Sequence, residues 1–261
     1  MWFMPRVARR WHLSLPHSRG DLVRQLLLFS GAYLAYQLVS GLVSAGNSYK
    51  PFGDATTIIN LERGLHLFVE PRIQAWAMRT RWLMDLADWS YLNAHYLVTP
   101  VALLFVYLRR NDAFYYVRNM FIVAMAIALV GYAAFPTAPP RLMPEWGFTD
   151  SISLFLHAPV AIDDGPAKVF VNFYAAVPSM HVCMAVMIGW AMFQLSRHSW
   201  AKIAWALYPL WISFVVVVTG NHYLADVALG ILTAGVAAAV AQAAARARPH
   251  AWALHLPAGA T

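Results

Sequence analysis

His222 lies in Gly220-Asn221-His222-Tyr223-Leu224-Ala225-Asp226, at the opening of the last long apolar stretch of the chain. His181 lies in Pro178-Ser179-Met180-His181, at the opening of an earlier one. His222 and Asp226 are four residues apart, so a helix places them on one face. A carboxylate so placed holds one imidazole in a fixed tautomer while the second histidine handles a proton. That is equipment for nucleophilic transfer of an anionic group. Ionisable groups at the edge of a membrane span are costly and mark function by default. The plainer alternative is a structural His–Asp hydrogen bond inside a bundle, and a second histidine at a matching depth weighs against it.

Three further groups extend this constellation. Arg141 sits in Phe135-Pro136-Thr137-Ala138-Pro139-Pro140-Arg141-Leu142, where the prolines stop a helix and hold the chain extended. It can clamp phosphate oxygens, or it can snorkel to lipid headgroups. Asn221 and Ser179 have side chains that cap helices, and an N-cap at Asn221 would turn the first amides of the last helix toward an anion. Tyr91, Asn93 and His95 fall inside another apolar stretch, where polar side chains face a bundle interior or a cavity. A satisfied core histidine is the ordinary alternative for His95.

Composition sets the elements that must position these groups. Of 261 residues, 60% are hydrophobic and 12% charged, against roughly 25% charged in soluble domains. Apolar runs recur at the roughly 20-residue length that crosses a bilayer core. The expected fold is therefore all-α: a polytopic membrane protein with a six-helix bundle. The spans are expected near 22–43, 83–107, 114–135, 179–196, 203–219 and 222–244. Trp82 and Trp200 fall at run ends, as interfacial aromatics do. Segment 44–82 is amphipathic and too polar to cross, so helices lying at the membrane surface are expected there. A soluble outer loop packed on the bundle is the alternative. The expected organisation is a basic cytoplasmic segment 1–21, a membrane catalytic domain 22–245 with an outer loop at 136–178, and a cytoplasmic tail 246–261. The first apolar run is longer than a signal-peptide core and reads as an uncleaved span.

The net charge of +7 needs no nucleic-acid partner, since cytoplasmic loops are basic and anionic lipids lie nearby. Cys183 is the only cysteine, so no intrachain disulfide is possible. With the N-terminus inside, twelve of the nineteen Lys and Arg residues fall on the inner side, including those in the short connections 108–113 and 197–202. Both termini are then cytoplasmic. Arg141, His181 and His222 all emerge on the outer face.

Pro178-Ser179-Met180-His181, followed by His222 and Asp226, resembles the last two signature motifs of the type 2 phosphatidic acid phosphatase superfamily. Those motifs read Pro-Ser-Gly-His and His-x-x-x-Asp. Pro139-Pro140-Arg141-Leu142 is similar to the branch containing inositol phosphorylceramide and sphingomyelin synthases, and the stretch from Leu61 to Asp226, with Glu70, Tyr91, Asn93 and His95, resembles bacterial members of it. The departures are Met180 in place of Gly, and Val215 and Val216 where the family places Ser-Arg. Of the cations in the family's first motif, only Arg141 has a counterpart. The resemblance implies His222 as nucleophile, Asp226 as its orienter, His181 as general acid, and no metal or other cofactor. It implies a lipid phosphate substrate, with water or a polyol such as inositol as acceptor, in a bacterial plasma membrane. Two other classes fit the residues alone. One is a metal-dependent membrane hydrolase with His181, His222 and Asp226 as ligands. The other is a non-enzymatic lipid transporter with a histidine proton relay.

Overall fold

The computed structural model describes residues 19–44, 50–157 and 172–247. The expected N-terminal segment, the C-terminal tail and the middle of the 136–178 loop lie largely outside these residues. The described residues are helical, with no strand beyond a single parallel bridge between Thr137 and Ala175. In chain order the helices are α1 (Arg19–Ser44), α2 (Lys50–Gly64), α3 (Glu70–Ala77), α4 (Arg81–Arg109), α5 (Asn111–Ala134), α6 (Ser151–Leu156), α7 (Met180–Leu195), α8 (Ser199–Val218) and α9 (Leu224–Ala247).

Five of these are long and apolar enough to cross a membrane: α1, α4, α5, α8 and α9. The fourth expected span, 179–196, forms the 16-residue helix α7, about 24 Å long at 1.5 Å per residue. Ser179 caps its start and Ser196, in extended conformation, ends it. Most of α7 is buried, from Met180 through Met192, against α4, α5, α8 and α9. It is the central helix of the bundle, so its length answers to its neighbours. The outer helices carry the lipid-type surface. Leu27, Val101, Val130, Leu210 and Leu232 are all exposed, an apolar area far larger than a soluble monomer shows. Trp82 and Trp200 are exposed at the starts of α4 and α8.

Segment 44–82 contains α2 and α3. Two of its polar residues, Glu62 and Glu70, are buried. Both helices dock on the end of the bundle that carries the site. Ile58 and Ile59 of α2 pack with Met143, Phe148 and Tyr223, while Ala77 of α3 packs with Val215 and Val218.

Small residues allow the helices at the site to approach closely. A Cβ added to Gly230 of α9 would lie 2.5 Å from the Ser179 carbonyl oxygen. The start of α7 thus rests directly on α9. The same contact aligns the two histidine-bearing segments, since the Ser179 amide also donates to the Asp226 carbonyl at 3.1 Å.

Candidate active site

Three loops meet at one end of the bundle. The chain leaves α8 through Thr219 and Gly220, which has φ +68°, a conformation that costs glycine little. The amides of Asn221 and His222 both donate to Val216 O at 3.0 Å, which turns the chain back into α9. The Gly220 carbonyl accepts from the Arg141 amide at 2.6 Å, tying this turn to the proline-rich loop. Thr137 N donates to Tyr174 O at 2.9 Å, and the Tyr223 hydroxyl donates to Ala138 O at 3.3 Å. Arg141, His181 and His222 thereby line one cavity of about 360 Å³.

His222 is nearly buried, and its Nδ1 lies 3.0 Å from Ala176 O and 3.3 Å from Asp226 Oδ2. Both neighbours only accept hydrogen bonds, so Nδ1 carries the proton. The Nε2 lone pair is left free for chemistry. Asp226 is fully buried behind His222, and its Oδ2 also accepts the Tyr223 amide at 2.9 Å. The His181 and His222 rings face each other with centroids 6.0 Å apart. Tyr91 stacks on His181 at 4.6 Å, and His95 approaches the same ring at 5.4 Å.

Arg141 is held from two sides. Its Nε donates to Asn221 Oδ1 at 3.0 Å, and Nη1 lies 3.4 Å from Asp150 Oδ2. Among the described residues Nη2 donates to no protein acceptor, so the fork keeps one edge for a ligand. Gln74 braces the adjacent loop, its amide both donating to Thr149 O and accepting from Thr149 N at 2.9 Å.

Not every expected residue serves the cavity. His181, His222, Arg141, Asn221 and Tyr91 line it, and Asp226 stands directly behind. His95 lines only a second, smaller cavity beneath His181. Asn93 lines neither cavity, and its Nδ2 donates to Trp89 O of its own helix. Tyr91 and His95 are one turn apart, whereas Asn93 is about 200° around the helix from Tyr91. Ser179 is fully buried, and its Oγ accepts from Val182 N, so it caps α7 and does not line the cavity.

Asn221 is not the N-cap of α9, which begins at Leu224. Its carboxamide accepts from Arg141 and donates to Thr219. The first amides of α9 are already taken by side chains of the chain itself and are not open to a ligand. Tyr223 N is taken by Asp226, Leu224 N by Glu70 and Ala225 N by Glu62. Among the described residues, Arg141 is the one Lys or Arg side chain that lines the cavity. Val215 and Val216, at the positions of the family's Ser-Arg pair, are fully buried in apolar clusters.

Other lining residues gave no sequence signal. Tyr36, Gln37 and Ser40 of α1 form one wall, Tyr132 of α5 another, and Asn172 reaches Ser40 Oγ at 3.1 Å. Among the described residues, no group of three or more His, Cys, Asp or Glu side chains is arranged to hold a metal ion.

A family model described as the PAP2 superfamily matches residues 56–240. The chain therefore belongs to the PAP2 superfamily, whose membership points to phosphatase-type chemistry on a phosphate ester. No curated protein and no solved structure matches the chain significantly.

Proposed function

We propose that the chain is a membrane-embedded lipid phosphatase or phosphotransferase similar to inositol phosphorylceramide synthases, working through a phosphohistidine on His222. The observation that carries this reading is the double commitment of His222 Nδ1 to two acceptors, which leaves Nε2 as a nucleophile at the cavity. In the first step the Nε2 lone pair attacks phosphorus. The P–O bond to the leaving alcohol breaks, and His181, as imidazolium, gives that oxygen its proton. Asp226 stabilises the charge that grows on the His222 ring, as the carboxylate does in a Ser-His-Asp triad. Arg141 neutralises the equatorial oxygens. In the second step His181 takes a proton from water or an alcohol as that oxygen attacks phosphorus, and the P–N bond breaks. Water gives hydrolysis, and a polyol such as inositol gives transfer.

The cavity walls favour a lipid with a polar headgroup. Leu92, Ile152 and Leu156 supply apolar surface, while Gln37, Ser40 and Asn172 supply hydrogen-bonding groups beyond the reacting centre. Purified protein in detergent, incubated with phosphatidic acid, ceramide, phosphatidylinositol and free inositol, tests the assignment. Following released phosphate and new lipid products together distinguishes hydrolysis from transfer. No turnover of any lipid phosphate, with folded protein, would remove the enzymatic reading.

We infer a six-span topology with α7 as the sixth crossing, α2 and α3 at the outer interface, and both termini in the cytoplasm. The three site loops share one end of the bundle, and the basic connections around Arg109, Arg110 and Lys202 lie at the opposite helix ends. In a Cys183→Ser background, an impermeant thiol reagent applied to intact cells is expected to label Glu145→Cys and to spare His198→Cys. The reverse pattern would invert the orientation.

A further inference from the structure

Glu62 and Glu70 come from different helices, yet both carboxyls end at the first turn of α9. Glu62 Oε1 accepts from Ala225 N at 2.8 Å, and Glu70 Oε1 accepts from Leu224 N at 3.0 Å. Glu62 is 3% exposed and Glu70 0%. Among the described residues, the second oxygen of each is buried with no hydrogen-bond partner. Two buried carboxylates side by side repel, and each orphaned oxygen carries a desolvation cost. One proton between them removes both penalties.

We propose that Glu62 and Glu70 form a proton-sharing pair that positions the catalytic end of α9, gripping its first amides so that Asp226, behind His222, holds that ring in register at the cavity. This rests on the assignment of His222 and Asp226 above. The pair does not touch substrate; it acts through the helix. Asp226 Oδ2 holds Tyr223 N, so three consecutive amides, Tyr223, Leu224 and Ala225, are each held by a carboxyl from a different helix. Fixing three amides in this way fixes the direction of the helix start, and hence the His222 ring. Burial, and then the Glu70 carboxyl beside it, push the Glu62 carboxyl well above the usual carboxylate range. The groups facing Glu62 are Glu70 of α3 and Asp226 of α9, both acidic, together with the Tyr223 phenol. The arrangement thus favours retention of one proton at neutral pH.

A shared proton makes an unusual demand. The pair needs one donor between the two oxygens that accept no amide, and a single glutamine supplies it. Glu62→Gln and Glu70→Gln are each expected to keep kcat on phosphatidic acid within about threefold of the parent. The double variant E62Q/E70Q turns two amide groups toward each other and is expected to lose about tenfold or more in kcat, with KM changed far less. Glu62→Ala and Glu70→Ala are expected to show the same loss. Hydrogen exchange at the Leu224 and Ala225 amides, measured on the full chain in detergent, reads the grip without catalysis. It should accelerate about tenfold or more in the double and alanine variants and stay within about threefold in the single glutamine variants. Single glutamines as damaging as alanines would overturn the shared proton. Unchanged exchange in the double variant would overturn the grip itself. If the alanine variants do not fold, the glutamine series decides alone. If the parent turns over no phosphatidic acid, the exchange series still judges the pair, so failure of the enzymatic reading stays separate from failure of this one.

Discussion

Replacing His222 with alanine is expected to abolish turnover, a loss on the order of 10⁶-fold in kcat, as befits removal of a covalent nucleophile. No neighbour can substitute. Asp226 is buried behind the ring and committed to Tyr223 N, and His181 lies across the cavity with its ring centroid 6.0 Å away. The variant should still fold, because His222 makes its side-chain hydrogen bonds at the cavity edge while α9 remains held by Glu62, Glu70 and Asp226. A residual rate within tenfold of the parent, measured on matched amounts of folded protein, would be incompatible with His222 as nucleophile.

His181→Ala should behave differently, and the difference depends on the leaving group. General acid catalysis contributes about 10²–10⁴-fold. That loss is expected with a lipid alkoxide, which cannot depart without a proton. A p-nitrophenyl ester needs little protonation, so much of the defect should disappear with it. The same ester should not restore His222→Ala. Equal losses on both substrate types would mean that His181 serves binding or structure. Its ring is stacked on Tyr91 and packed near His95, so a retained cavity shape, read by melting temperature, must accompany the comparison.

The histidines and the aspartate that meet at the candidate site were legible because of their fixed local spacing. A histidine four residues before an aspartate, and a second histidine after Pro-Ser, stand out in any apolar run. Arg141 was legible because prolines follow the end of α5 and mark a loop at the bundle's end, although Pro140–Leu142 forms a short 3₁₀ turn and not the extended chain expected there. The supports were not legible, since they depend on contacts between distant parts of the chain. In the sequence Glu62 and Glu70 are two of the polar residues of an amphipathic segment, and only the docking of α2 and α3 shows that they cap a helix more than 150 residues away. The same docking explains the misplaced cap at Asn221. Local propensity favoured Asn221 at that position, but Arg141 and Thr219 take its carboxamide and carboxylates from elsewhere take the amides. In α1, Tyr36, Gln37 and Ser40 sit in an apolar run with nothing to mark which face meets the cavity. The helices themselves followed the hydrophobic pattern, with ends shifted by a few residues. The helix α7 lies within one residue of its expected bounds at each end, yet at 16 residues it is shorter than the five helices long enough to cross a membrane.

The central claim is that phosphorus becomes bonded to His222 Nε2. Brief incubation with phosphatidic acid labelled at phosphorus, quenching in base and peptide mapping test it most directly. The account predicts an acid-labile, base-stable label on the peptide containing His222, present in the parent and absent from His222→Ala. In His181→Ala the label should still form from a p-nitrophenyl ester. Rapid turnover with no label on that peptide at any quench time, or a label that persists in His222→Ala, would contradict it.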